Sequence, residues 1–227
     1  MAMTADSSTT ANVFEVKDCA LAAIAIGERA HDLRELADLI STIGVQSLYY
    51  HFWGGLLRPR FDDPEYHNDF AIWSSRSLRD PVLAEKLGVL DPTHFADLER
   101  LRGKLLQVLR DHMAEYEHFS QVAASDPFLF VRSQIVVFDS GRRLKTPEDL
   151  RDAILTLSAG SIFYHFIDAR RREPMGQDDF SVWLGGSFPE TWALCVDLRK
   201  LDPFFWGLGS LRVHLSEIMH LHLPGIS

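Results

Sequence analysis

The chain has 227 residues, 46% hydrophobic and 24% charged, which is the balance of an ordinary globular protein with enough apolar material for a substantial core. Its formal net charge of -9 argues against nucleic acid as a partner, because binding a phosphate backbone depends on clustered Lys and Arg releasing counterions. The longest apolar run, Cys19 to Ile26, falls far short of the roughly 20 residues that cross a bilayer, so no membrane partner is expected either.

Residues 1–12 are small and polar, with no basic start and no apolar centre, and read as a loose tail rather than a signal peptide. Beyond them the chain says nearly the same thing twice. Phe14, Gly27, Arg29, Leu36, Ile40 and His51 stand 114 positions before Phe128, Gly141, Arg143, Leu150, Ile154 and His165. Ser47-Leu48-Tyr49-Tyr50-His51-Phe52 returns as Ser161-Ile162-Phe163-Tyr164-His165-Phe166, and Asp69-Phe70-Ala71-Ile72-Trp73 returns as Asp179-Phe180-Ser181-Val182-Trp183. The reading is of two tandem copies, residues 13–124 and 125–227, each within the usual size range of a domain.

The second copy shows its local structure more plainly. Phe128 to Phe138 is rich in Phe, Val and Ile and reads as a strand; Asp139-Ser140-Gly141 supplies turn chemistry, and Arg143-Leu144-Lys145 can return as a second strand, giving a β-hairpin. The more Ala-rich stretch after Phe14 is its counterpart. Thr146-Pro147-Glu148-Asp149 then starts a helix, with an N-cap hydroxyl, Pro where a missing N–H costs nothing, and acidic groups facing the positive end of the helix dipole. Leu150, Ile154 and Leu157 recur at helical spacing, as do Leu36, Ile40 and Ile43.

Ser47 and Ser161 are placed to cap a second helix carrying the Tyr-His-Phe signature, and Asp69 and Asp179 to cap a third. The last quarter of each copy reads as two more helices, the longest running from Thr93 to about Glu117. The expected fold is α+β and mostly α-helical, made of two tandem repeats that each open with a short hairpin and continue in several helices, packed with pseudo-two-fold symmetry. The hairpins could join into one small sheet, since an isolated two-stranded hairpin is only marginally stable.

Few polar residues repeat, and these are the candidate ligand-binding set: His51, Arg58, Asp69 and Trp73 in the first copy, His165, Arg172, Asp179 and Trp183 in the second. A His two turns before an Arg, with a carboxylate near, could orient a polar or anionic ligand. The plainer reading has each His among aromatic residues, donating to the Asp at the head of the next helix and so tying two helices together. The Trp residues lie at the spacing of a core stripe, and Arg170-Arg171-Arg172 reads as a salt-bridged helix end.

Glu115-x-x-His118 has the spacing of a di-iron ligand pair, but the second copy offers no partner Glu, so neither metal nor other cofactor is expected. The two cysteines, Cys19 and Cys195, occupy non-corresponding positions and read as buried, reduced thiols of a cytoplasmic protein. There is no nucleophile elbow, phosphate loop, dinucleotide fingerprint or His-Glu-x-x-His, and no catalytic residue is assigned.

The order Gly-x-Arg, Leu-containing helix, Tyr-His-Phe and Asp-Phe-x-x-Trp, spanning Phe14 to about His222, resembles a family of tandem-repeat bacterial and archaeal proteins of unknown function. The resemblance implies no activity for any residue. Asn68 precedes Asp69 in the first copy where Asp178 precedes Asp179 in the second. The expected function is a non-enzymatic binding or protein-interaction module, with a protein or a small anionic ligand as partner. The alternative is an enzyme acting on a small anionic or sugar-like substrate, with the repeated His as acid–base group and the repeated Arg as anion clamp.

Overall fold

Phe14 and Phe128 each open one long strand. In the computed structural model, which describes residues 13–57, 65–116, 122–172, 176–203 and 206–225, strand β1 runs Phe14–Ala30 and strand β2 runs Phe128–Leu144. The two pair into one two-stranded sheet. The expectation of a hairpin opening each of two tandem repeats is therefore overturned, while the mostly helical content holds. The physical reason lies at the glycines read as turns. Gly27 (φ 83°) and Gly141 (φ 76°) are left-handed but sit inside strands that continue past them. One left-handed glycine can serve a tight reversal or a bulge, and because both strands run on past it, here it bends or bulges the strand instead of reversing it.

The chain divides into two compact units: Met1–Cys19 with Val137–Ser227, and Ala20–Val136. Each strand is thus split between them. Residues 14–19 of β1 belong with the helices that follow β2, and residues 128–136 of β2 with the helices that precede it.

In the unit Ala20–Val136, helix α1 (Leu33–Thr42) starts at Asp32, whose side chain accepts the Glu35 N–H, and buries Leu33, Leu36 and Ile40 completely. Helix α2 (Val45–Leu57) is buried from Ser47 to Gly55, as a helix apolar on all sides must be. Helices α3 (Asp69–Arg76) and α4 (Pro81–Gly88) follow, capped by Asn68 and Asp80. Helix α5 (Leu98–Glu115) packs on α1, α2 and α4 through Leu101, Leu105 and Leu109. It begins later than Thr93 because Pro92–His94 forms a separate 3₁₀ turn and Asp97 caps the helix proper.

In the other unit, helix α6 (Pro147–Ala153) has the expected start, completed by a capping box in which Thr146 and Asp149 each bond the other's backbone. Where the unit Ala20–Val136 has one continuous α2, this unit has α7 (Ala159–Ile162), a π-helical turn (Phe163–Ile167) and a 3₁₀ turn (Asp168–Arg171). Helices α8 (Asp179–Ser187), α9 (Trp192–Lys200) and α10 (Leu208–His222) complete the unit around Phe163, Phe166, Phe180, Leu198, Leu211 and Leu215.

Candidate functional site

The repeated histidines lie in the interior of their units, each 3% exposed, between a helix start and a strand. His51 on α2 donates from Nδ1 to Asp69 Oδ2 at 2.9 Å, and its Nε2 accepts the Val131 N–H of β2 at 3.1 Å. His165, in the π-helical turn, donates from Nδ1 to Asp179 Oδ2 at 2.7 Å, and its Nε2 accepts the Lys17 N–H of β1 at 2.8 Å. A backbone N–H can only donate, so in both places the network assigns the neutral tautomer with its proton on Nδ1. Each ring is a bridge with both nitrogens in use.

Aromatic side chains enclose both bridges. The His51 ring lies 4.7 Å from Phe128 and 5.5 Å from Phe70, and the His165 ring 4.8 Å from Phe14 and 5.6 Å from Phe180. A further contact fastens each strand to its helix. Ser133 Oγ donates to the Gln46 carbonyl, and at the corresponding place in the other unit Cys19 Sγ donates to the Gly160 carbonyl. A Cβ on Gly160 would collide with the Cys19 carbonyl and the Asp18 carboxylate, so the strand approaches this helix more closely than any other residue would allow.

The helix caps fall one residue earlier than expected. Asn68 and Asp178 are the N-caps, accepting the Ala71 and Ser181 N–H groups, while Asp69 and Asp179 are the first helical residues, which frees their carboxylates for the imidazoles. Nor do Ser47 and Ser161 act as caps: Ser47 Oγ donates to the Val131 carbonyl at 2.7 Å, and Ser158 caps α7. Burial pushes the Asp178 carboxyl above the usual carboxylate range, despite its bonds to the backbone and hydroxyl of Ser181.

Arg172 joins its group in one unit. It donates through Nη2 to Asp179 Oδ2 at 3.0 Å and to the Tyr164 carbonyl at 2.8 Å, and stacks 4.1 Å over the Tyr164 ring. Arg58 lies outside the described residues. Arg170 donates to the Leu198 and Leu201 carbonyls at the end of α9, and Arg171 pairs with Asp168, so the triple-Arg run is engaged with the chain itself. Trp73 and Trp183 are buried. Trp73 Nε1 donates to the Asp126 carbonyl, and Trp183 packs 5.3 Å from Phe14.

Glu115 is paired with Lys86 at 2.6 Å, and His118 lies outside the described residues. Among the described residues no group of three or more His, Cys, Asp or Glu is arranged to hold a metal ion, and no helix is long and apolar enough to cross a membrane. Cys19 and Cys195 are free and buried, and burial pushes the Cys19 thiol up to about 12, where it is a poor nucleophile.

The structure thus brings His51, Asp69 and Trp73 together around Phe128, and His165, Arg172, Asp179 and Trp183 around Phe14. What sequence reasoning missed are the Lys17 and Val131 amides and Gly160. The backbone donors leave no mark on side-chain identity; the pairing of Phe14 with Phe128 at the same offset as the histidines was the available signal.

A model described as a family of unknown function, DUF5752, matches residues 11–220, and the chain belongs to that family. Among solved structures it is similar to OrfY from Thermoproteus tenax, with a TM-score of 0.79 and 26% identity over 94% of this chain and 97% of that one. No curated protein matches it.

Proposed function

We propose that this DUF5752 protein is a cytoplasmic, non-enzymatic binding or protein-interaction module, in which the repeated His and Asp residues serve the fold rather than a reaction. One observation carries the reading: both ring nitrogens of His51 and of His165 are bonded to the chain itself. An acid–base group must present a nitrogen to substrate, directly or through one water. Arg172 is likewise held by Asp179 and the Tyr164 carbonyl, which speaks against an anion-clamp role for this residue. The buried, weakly acidic Cys19 thiol fits a reducing compartment.

The test is a metabolite-turnover screen with the wild type and with His51→Gln and His165→Gln. The expected result is no turnover that depends on either residue. Turnover abolished by a substitution that leaves the fold intact would overturn the proposal.

A further inference from the structure

We propose that His51 and His165 are acid-operated latches, each of which releases its strand segment, residues 128–133 or residues 14–19, when the imidazole takes a second proton. The inference follows from an uncommon feature of the two bridges. The imidazole accepts from a backbone amide, at 3.1 Å from Val131 and 2.8 Å from Lys17, instead of donating to a carbonyl. A proton added at Nε2 turns that acceptor into a donor facing another donor, and two N–H groups cannot approach to hydrogen-bond distance. At Nδ1 the same proton does no harm, because the bond to the carboxylate becomes an ion pair. Acid therefore acts on one side of the ring only: the helix-start contact persists and the strand contact is lost.

Around His165 stand Asp179 on α8, Arg172, which shares that carboxylate, Asp168 beyond Arg172 at 3.3 Å, and the Tyr164 ring. From β1 comes Lys17, whose ammonium turns away to Glu15 and Asp139. Among the described residues, Asp69 on α3 and Tyr50 on α2 stand around His51, and residues 128–131 of β2 bear Phe, Leu and Val side chains. The strand anchors beside the latches, Phe14 with Val16 and Phe128 with Phe130, are at most 7% exposed in the closed form and become accessible on release.

The latch is independent of whether the module is catalytic, so its failure would leave the proposed function standing. The test uses the wild-type chain, labelled with ¹⁵N, between about pH 8 and about pH 5, the range in which histidine is the side chain that ordinarily titrates. The coupling across each N–H···N bond, from the Lys17 and Val131 amides to the imidazole Nε2, is recorded with amide hydrogen exchange corrected for its intrinsic pH dependence. The expected result is loss of both couplings as the ring nitrogens register protonation. Exchange at these amides should rise ~10-fold or more relative to α5 and α10, as local opening requires. Three results would each overturn it: couplings that survive ring protonation, rings that stay neutral throughout the range, or strands and helices that lose protection in one global step.

Discussion

Removing the His165 side chain isolates the contribution of one bridge. His165→Ala deletes the bond to the Asp179 carboxylate, although Arg172 remains on the same oxygen, and leaves the Lys17 N–H facing the vacated space. A hydrogen bond to a charged partner contributes about 1.5–3 kcal/mol and an orphaned buried donor costs about 1–3 kcal/mol, so a loss of about 3 kcal/mol is conservative, before any packing against Phe14 and Phe180 is counted. For a chain of this size that converts to a fall in Tm of about 6–12 °C. Differential scanning calorimetry on the wild type, His165→Ala, His165→Asn and His165→Gln reads the effect. Asn can keep a donor near the Nδ1 position and Gln an acceptor near the Nε2 position, so each should recover part of the loss. A Tm for His165→Ala equal to or above the wild type would refute the structural reading and return this residue to the list of groups kept for chemistry.

Four further substitutions probe neighbouring features. Asp178→Asn should stabilise the protein at neutral pH: burial raises the folded-state carboxyl, so its favourable contribution is complete below the unfolded value near 4 and is lost as the pH rises through the folded one. The wild type should therefore lose stability relative to the variant between acid and neutral pH, and parallel curves in urea titrations at several pH values would contradict this. Gly160→Ala should cost about 1–3 kcal/mol because its methyl meets the Cys19 carbonyl, whereas Gly186→Ala on α8, with nothing within 4 Å, should gain about 0.5–1 kcal/mol from helix propensity. Equal effects of the two, measured by chemical denaturation, would show that the close strand approach is not what Gly160 serves. Thr146→Ala removes the hydroxyl of the capping box and should cost about 1 kcal/mol in the same assay; no change would mean that Asp149 alone holds the start of α6.

What the sequence made legible was local. Thr146-Pro147-Glu148-Asp149 specifies a helix start through side chains within four residues of one another, and the structure has the capping box there. The stripe of Leu36 and Ile40, and that of Leu150 and Ile154, is buried as its spacing requires. The caps slipped by one residue at Asp69 and Asp179 because two adjacent polar residues, Asn68-Asp69 and Asp178-Asp179, both suit an N-cap; the choice is made by which side chain the imidazole claims. Nothing local records that claim, since His51 and Asp69 are eighteen positions apart.

The strands failed for a related reason. Alternation tells which side chains of residues 128–130 face a core, and Phe128 and Phe130 are buried while Leu129 is exposed, but the same pattern is satisfied against any apolar helix surface. A hairpin was the cheapest closure in chain entropy, because its partner lies a few residues away, and the glycines allowed it. What outweighs that advantage is specific to the distant partner: an imidazole lone pair waiting for one amide, a carbonyl seated over a glycine, and an aromatic wall around Phe14 or Phe128. Two of these three act through backbone atoms, which every residue but proline presents alike. The repeated His is thus the side-chain trace of a backbone contact. Its recurrence at both sites follows from geometry, since among neutral side chains imidazole can give a proton to a carboxylate on one edge while taking one from an amide on the other.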